Sequence, residues 1–389
     1  MTKRRLLFLV NEALFFTTHR MPIAQAAQSR GYEVHVAAPF ESEPAAAIKA
    51  QGFVYHPIPL DRSGTSIAGE IGLLLAFWKL IGAVKPDLTH HVAMKPVAYA
   101  GCLARLRGVP GVVHAVTGLG HLFVRDDLVT RIRRAIIMLL FRFALHYRNS
   151  RVIFQNPDDR DLFVQKGLVD PAATTIIRGT GVDMGRFKPA GTTNHRVTVM
   201  FPARIIGDKG IHEFVHAARQ STSAGLDADF VVVGRTDPNN PTAVLQDTVR
   251  GWERDGILAW WGFQHDMAAM LPRADIVCMP SYREGLPRVL IEAAACGLPI
   301  VTTDVPGCRE IVHHEVNGLL VTARDGPGTA DAIARLIEDA GLRRRMGEKS
   351  REMACRDYAV DDFVNRTLAV YEEVTPDRND RVPVEAREA

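Results

Sequence analysis

Two carboxylates and two cations are the side chains whose types and spacing could do chemistry. Residues 280–292 read Pro-Ser-Tyr-Arg-Glu-Gly-Leu-Pro-Arg-Val-Leu-Ile-Glu. The apolar run 275–279 before them reads as a buried strand, and 289–296 as a helix stopped by Gly297. The stretch is therefore a strand, a tight turn and a helix start. Pro287 suits the first helical turn, where its missing N–H costs nothing. Gly285 allows a ligand close to the backbone. Glu284 and Glu292 stand eight residues apart, which along a helix spans at most about 12 Å. That is the reach from a sugar ring across a diphosphate to a ribose. Spacing alone fits a surface helix with two solvated acids equally well. Upstream, Arg204 and Lys209 flank a turn and the start of a helix at 211–220. A forked guanidinium and a point charge at a helix N-terminus suit a diphosphate, although two solvated cations have the same spacing.

The elements needed to position these residues alternate. In the first half, strands at 6–10, 32–38, 53–58, 86–91 and 111–116 alternate with helices at 19–30, 43–51, 67–84 and 98–107. Such βα alternation predicts a doubly wound parallel sheet, with ligands at the carboxyl ends of the strands. The loops to watch are 11–20, 61–65, 90–96 and 117–125. They carry His19, Arg20, Lys95, Thr117, Gly118 and His121, and their convergence on one sheet edge marks a second candidate site. A long helix follows at 127–148, apolar at 136–140 and rich in arginine, a pattern that fits either a core helix with a solvated face or an anionic lipid surface. After strands at 152–154 and 175–177, a Pro-, Gly- and polar-rich stretch at 187–194 reads as a linker. Strands at 197–201, 230–234, 257–263, 275–279, 300–303 and 317–321 then restart the pattern. A helix at 360–374 precedes a charged, frayed tail at 375–389. Two βα domains joined near residue 190 follow, with no sequence repeat between them.

Bulk properties narrow the partners. The chain has 389 residues, 47% hydrophobic and 23% charged, with a net charge of +3, a balance too mild to argue for nucleic acid. The five cysteines form no C-x-x-C pair and read as reduced core residues of a cytosolic protein, not as a zinc site. The apolar run at 6–10 is too short for a signal peptide. Residues 67–84 contain Glu70 and Lys79 and fall short of a transmembrane span. No G-x-G-x-x-G follows the first strand, and no Walker loop is present. The triplets Asp159-Arg160-Asp161 and Asp227-Ala228-Asp229 do not follow strands, as a metal–diphosphate site requires. No metal and no cofactor are expected, since Arg204 and Lys209 can neutralise a diphosphate leaving group.

Pro202-Ala203-Arg204, Asp208-Lys209-Gly210, Gly262, the 280–287 stretch, Glu292-Ala293 and Gly297-Leu298-Pro299-Ile300-Val301 together resemble the retaining GT-B glycosyltransferases of family 4. The resemblance covers nearly the whole chain. In the first half, Phe16, His19-Arg20, Lys95-Pro96, Val116-Thr117-Gly118-Leu119-Gly120 and Phe123 are similar to bacterial hexosaminyl- and galactosyltransferases. Those enzymes extend undecaprenyl-diphosphate-linked sugars for O-antigen, capsule or protein glycosylation.

The resemblance implies two Rossmann-like domains facing across a cleft. Residues 1–190 with the crossing helix 360–374 would bind the acceptor, and 191–359 a UDP-sugar. Arg204 and Lys209 would hold the diphosphate, and Glu284 would lie near the donor sugar. The backbone of Gly285, Leu286, Pro287 and Arg288 would lie near the phosphates. Glu292 would accept from the ribose hydroxyls, and Gly262 and Phe263 would border the base. The acceptor side would use His19, Arg20, Lys95, Thr117, Gly118 and His121. A lipid-linked acceptor implies peripheral contact, through 127–148, with the cytoplasmic face of the inner membrane. One departure stands out: where many relatives carry a histidine after the fifth strand, this chain has Thr117, leaving His114 or His121 as substitutes. A nucleotide-sugar epimerase on the same fold and a non-catalytic sugar-nucleotide-binding scaffold remain as alternatives.

Overall fold

A computed structural model describes residues 3–61, 66–118, 128–189 and 196–375. They divide into two compact units, one reaching to Ile177 and resuming at Phe363, the other Arg178–Asp362.

The first unit is built on seven strands: β1 (Arg4–Leu9), β2 (Tyr32–Ala38), β3 (Val54–Pro57), β4 (Leu88–Val92), β5 (Gly111–Val116), β6 (Ser150–Phe154) and β7 (Thr174–Ile176). Every pairing is parallel, in the order β3-β2-β1-β4-β5-β6-β7. The continuous apolar run Leu6, Leu7, Phe8 and Leu9 is fully buried, as a central parallel strand covered on both faces must be. The helix Val360–Val374 enters this unit from Phe363 on and packs Phe363, Tyr371 and Val374 into the core beside Phe8 and Leu88. Its Tyr371 hydroxyl lies 2.6 Å from His90 Nδ1.

The second unit carries β8 (Val197–Phe201), β9 (Ala228–Val232), β10 (Ala259–Trp260), β11 (Ile276–Met279), β12 (Ile300–Thr303) and β13 (Gly318–Val321). These are again all parallel, in the order β10-β9-β8-β11-β12-β13.

Four expectations change. Residues 13–19 form a helix, Ala13–His19, where a loop is expected. Burial of Ala13 and Phe16, with Phe16 edge-on to Phe8 at 5.3 Å, outweighs the weak propensity of Thr17 and Thr18. The Thr18 hydroxyl donates back to Leu14 O at 2.8 Å, so the helix accommodates it. The helix expected from residue 98 begins at Met94, with Pro96 in its first turn, where a proline needs no N–H partner. The strand expected at 257–263 pairs only over Ala259–Trp260. Beyond it Trp261 N–H still donates to Val232 O at 3.0 Å and Gly234 N–H to Gly262 O at 2.9 Å, and Gly262, at φ +71°, turns the chain out of extended backbone. Four cysteines are buried, but Cys355 is exposed. Residues 190–194 of the linker and 376–389 of the tail lie outside the described residues.

Close approach of backbone to backbone makes one glycine position decisive. A Cβ on Gly234 would sit 1.9 Å from Ala203 O, beside Arg204. Gly234→Ala is therefore expected to cost about 1–3 kcal/mol, read as a lower urea midpoint. Gly72, inside the helix Ile67–Val84, has open space where an added methyl would lie. Gly72→Ala should stabilise by about 0.5–1 kcal/mol and raise the midpoint.

Candidate active site

The strand order of the second unit reverses between β8 and β11, so the loops leaving these two strands flank a crevice at the carboxyl edge of the sheet. Arg204 and Lys209 lie on the loop after β8, and Glu284 on the loop after β11. The structure brings Lys209 and Glu284 together: Lys209 Nζ donates to Glu284 Oε1, with both side chains largely buried. Each partner offsets the cost of removing the other from water. An ammonium has three donors, so this contact leaves capacity for a phosphate oxygen. Arg204 donates to Asp237 Oδ2 at 2.6 Å. One such bond does not exhaust a five-donor guanidinium.

Backbone contacts fix the two loops to each other. Tyr282 N–H donates to Asp208 O at 2.9 Å. Gly210, at φ +80°, passes so close to Pro280 that a Cβ would meet its carbonyl oxygen at 2.2 Å. The Tyr282 hydroxyl donates to Glu213 Oε1 at 2.8 Å, and the Arg324 guanidinium lies 4.8 Å from the centre of its ring. Burial, reinforced by the Glu213 bond, pushes the Tyr282 phenol up to about 12, so it stays a donor at neutral pH.

The helix Arg288–Ala295 starts one residue before the expected 289, and Pro287 is the residue before its first turn, where the sequence placed it within that turn. Leu290 N–H in its first turn donates to Pro287 O at 3.0 Å, and Gly285, Leu286 and Pro287 lead directly into the helix N-terminus, the end that favours negative charge. Glu292 is 8% exposed and accepts from Arg288 Nε at 2.7 Å. Arg288 also reaches the Thr180 hydroxyl at 3.3 Å. Burial raises the Glu292 carboxyl above its ordinary value, and Arg288 pulls it part of the way back. Phe263, 43% exposed, follows β10 beside Gly262, with the Arg235 guanidinium 5.4 Å from its ring centre. A half-exposed aromatic face with a cation beside it is a platform for a planar base.

In the first unit the order reverses between β1 and β4. The chain after β1 carries His19 and Arg20, and the chain after β4 carries Lys95. His19 stacks on Phe15 at 4.1 Å, and its Nδ1 is 2.6 Å from the Thr18 hydroxyl. Arg20 is only 2% exposed, its guanidinium 5.5 Å from the centre of the Phe363 ring. Lys95 Nζ donates to Glu70 Oε1 at 2.6 Å and to Asp61 O at 2.8 Å. Both cations are thus engaged with this unit's own groups. Thr117 and Gly118, half-buried, directly follow β5. His121 lies outside the described residues.

His114 does not serve as the substitute histidine. It is fully buried within β5, 3.3 Å from His91 through their Nδ1 atoms. Burial lowers it to about 3, so it is a neutral core residue. The two acidic triplets have structural partners: the Asp159 carboxylate accepts from Asn156 Nδ2 at 3.1 Å, and Asp229 pairs with Arg196 at 2.8 Å.

Sequence reasoning missed Asp237, Thr180, Glu213 and Arg235. Asp237 and Arg235 follow β9 at the same sheet edge as Arg204, and position after a strand was a usable signal. Thr180 and Glu213 are brought in by tertiary packing alone. The Arg288–Glu292 pair was legible as an i,i+4 spacing.

That pair generates a prediction with a definite sign. A carboxyl raised in the folded state binds its proton more tightly there than in the unfolded chain. It therefore lowers stability progressively as pH rises from the ordinary carboxylate range through its folded value. Arg288→Ala removes the opposing cation and raises that value further. The variant should be less stable than the parent by about 3–5 kcal/mol at neutral pH, with the gap narrowing toward acid. Urea unfolding across pH measures it, and a pH-independent gap would refute the account.

Comparison with known proteins speaks to the family and the fold. Residues 5–156 match the family described as Glycosyl transferase 4-like, and residues 196–339 match Glycosyl transferases group 1. The chain is similar to N,N'-diacetylbacillosaminyl-diphospho-undecaprenol alpha-1,3-N-acetylgalactosaminyltransferase of Campylobacter jejuni subsp. jejuni serotype O:2, with 24% identity over 383 residues, 95% of this chain and 99% of that protein. It is similar to UDP-Gal:alpha-D-GlcNAc-diphosphoundecaprenol alpha-1,3-galactosyltransferase of Escherichia coli, with 26% identity over 290 residues, 71% of this chain and 73% of that protein. Among solved structures, Anabaena HepE in complex with UDP and glucose superposes with a TM-score of 0.76 at 19% identity, covering 95% of this chain and 100% of that one. At that identity the likeness is one of fold. One family match falls on each parallel sheet, and the chain belongs to the GT-B glycosyltransferases of group 1, the family 4 type.

Proposed function

We propose that this glycosyltransferase moves a hexose or N-acetylhexosamine from a UDP-sugar to a saccharide carried on undecaprenyl diphosphate, with retention at the anomeric carbon. The observation that carries the donor half is the Lys209–Glu284 pair at the strand-order reversal, with Arg204 on the same loop and Glu292 on the following helix. The acceptor class is supported by the names of the Campylobacter jejuni and Escherichia coli relatives. The UDP in the HepE structure agrees with the donor. The enzyme would work peripherally on the cytoplasmic face of the inner membrane.

In this reading Arg204 and Lys209 bind the diphosphate, assisted by the N-terminus of Arg288–Ala295 and the backbone from Gly285 to Arg288. Glu292 accepts from the ribose hydroxyls, and Gly262 and Phe263 border the uracil. The bond between the sugar C1 and the phosphate oxygen breaks, and its electron pair leaves with UDP. Arg204 and Lys209 stabilise the charge gathering on the diphosphate. Glu284, held by Lys209, lies beside the sugar as positive charge develops at C1. The acceptor hydroxyl oxygen bonds to C1 on the face UDP leaves, and its proton passes to the departing phosphate oxygen. His19, Arg20, Lys95, Thr117, Gly118 and His121 are the proposed acceptor side. Of these, Arg20 and Lys95 act by shaping their loops as well as by charge, given their internal partners.

A panel of UDP-sugars against an undecaprenyl-diphosphate-linked monosaccharide, with the product anomer determined, tests the assignment. Lys209→Ala and Glu284→Ala should each lower kcat by about 10²–10³ or more while thermal unfolding shows an intact fold. Near-normal transfer in both variants would sink the reading. Turnover of donor without acceptor would point to an epimerase, and binding without turnover on any acceptor to a scaffold.

A further inference from the structure

Three helices of the first unit lie side by side on one face of its sheet: Ile67–Val84, Met94–Leu106 and Leu128–Leu145. They are the crossovers from β3 to β4, β4 to β5 and β5 to β6, which right-handed connections place on the same face. The helix Ile67–Val84 is long and apolar enough to cross a membrane by length and composition. It does not act as a span, because Leu73, Phe77, Ile81 and Val84 are buried in the core beside Leu7 and Leu9. Its opposite face is also apolar. Ile67 is 79% exposed, Ile71 52%, Leu75 53% and Trp78 37%, and their i, i+4, i+8, i+11 spacing makes one outward stripe. A second stripe, Ile136, Leu139 and Phe143, is exposed on Leu128–Leu145, and Leu106 is exposed at the end of the helix between them.

This clustering is not scatter. Of thirteen large apolar side chains exposed among the described residues, eight lie on these three helices; singly scattered ones would need no explanation, whereas a contiguous patch marks an interaction surface. The charge around it has one sign. Among the described side chains of the three helices, Lys79, Lys95, Arg105, Arg134 and Arg142 face a single acid, Glu70, which Lys95 already engages. Arg107 lies 3.6 Å from the Trp78 ring centre and donates to Trp78 O, and Arg105 lies 4.3 Å from the Phe143 ring centre and donates to Phe143 O. Both arginines therefore sit beside exposed aromatic rings of the outer helices, the arrangement in which apolar bodies enter an interface and cationic heads remain at headgroup level.

We propose that the outer face of this three-helix layer, centred on Ile71, Leu75 and Trp78, docks flat on an anionic lipid surface. The occupant follows from the combined chemistry. A second copy of the chain, in a two-fold contact, would oppose the same cations to themselves. A nucleic acid would leave the apolar stripe without a partner. An anionic bilayer offers apolar depth beneath negative charge, matching both features at once. The proposal deepens the lipid-linked-acceptor reading and rests on it for its use in the cell. It also differs from the sequence expectation, which gave the contact to residues 127–148 alone: the helix Ile67–Val84 becomes the principal anchor.

Co-sedimentation of the full chain with vesicles of phosphatidylethanolamine and phosphatidylglycerol, and with vesicles of phosphatidylcholine alone, tests the surface without any acceptor. The parent should bind the anionic vesicles, and added salt should weaken that binding. Leu75→Ser/Trp78→Ser should lower the vesicle partition coefficient at least about tenfold, with thermal unfolding unchanged and transfer to a detergent-soluble short-chain acceptor retained. Parent-like binding by that variant, equal binding to both vesicle types, or a dimer abolished by the same substitutions without vesicle binding would each overturn the proposal. Loss of vesicle binding in the parent with transfer intact would remove the surface and leave the proposed reaction standing. Vesicle binding with no transfer would do the reverse.

Discussion

A parallel sheet must return every strand's chain over one of its faces, so all carboxyl ends emerge on a single edge. Where the order of winding reverses, the two loops leaving neighbouring strands run in opposite directions and leave a crevice. In the second unit that reversal falls between β8 and β11. Almost everything the site does depends on it. Lys209 and Glu284 are 75 residues apart in the chain, and they form an ion pair because their strands are neighbours. The Tyr282–Asp208 backbone bond and the close passage of Gly210 by Pro280 are consequences of the same adjacency.

The electrostatics of the site follow from partial burial. A lysine and a glutamate removed from water without each other would be costly. Paired, they hold a cation beside the place where a diphosphate would need one. Arg288 and Glu292 repeat the arrangement on the helix that follows, with the carboxyl raised by burial and restrained by its guanidinium. Tyr282, bonded to buried Glu213 and lying under Arg324, is one of the groups that support the Glu284 loop from behind.

The first unit uses the same architecture for different ends. Its core contains three fully buried histidines, His90, His91 and His114, which burial keeps neutral. One of them bonds Tyr371 from the C-terminal helix. These are structural histidines, and the buried one beside the expected catalytic position is no exception. The outer helix layer has the opposite character: apolar where a soluble surface would be polar, and cationic around the apolar stripes.

Much of this was legible in the chain itself. Uninterrupted apolar runs such as Leu6 to Leu9 specify strands buried on both faces, and their alternation with helical periods specifies two parallel sheets. The E-x7-E spacing of Glu284 and Glu292, and Arg204 with Lys209 before a helix, located the candidate site, because glycine, proline and charge at a strand end carry local meaning. Local sequence could not specify partners. That Arg20 is buried, that Lys95 is engaged by Glu70 and Asp61, and that Asp237 meets Arg204 are matters of which distant segments pack together. Nor could it say which side of residues 67–84 faces outward, since that helix is apolar all round and its sequence alone does not distinguish a core helix from a surface one. Only the docking of Leu73, Phe77 and Ile81 against the sheet assigned the inner face, and by doing so left Ile67, Ile71, Leu75 and Trp78 on the outside.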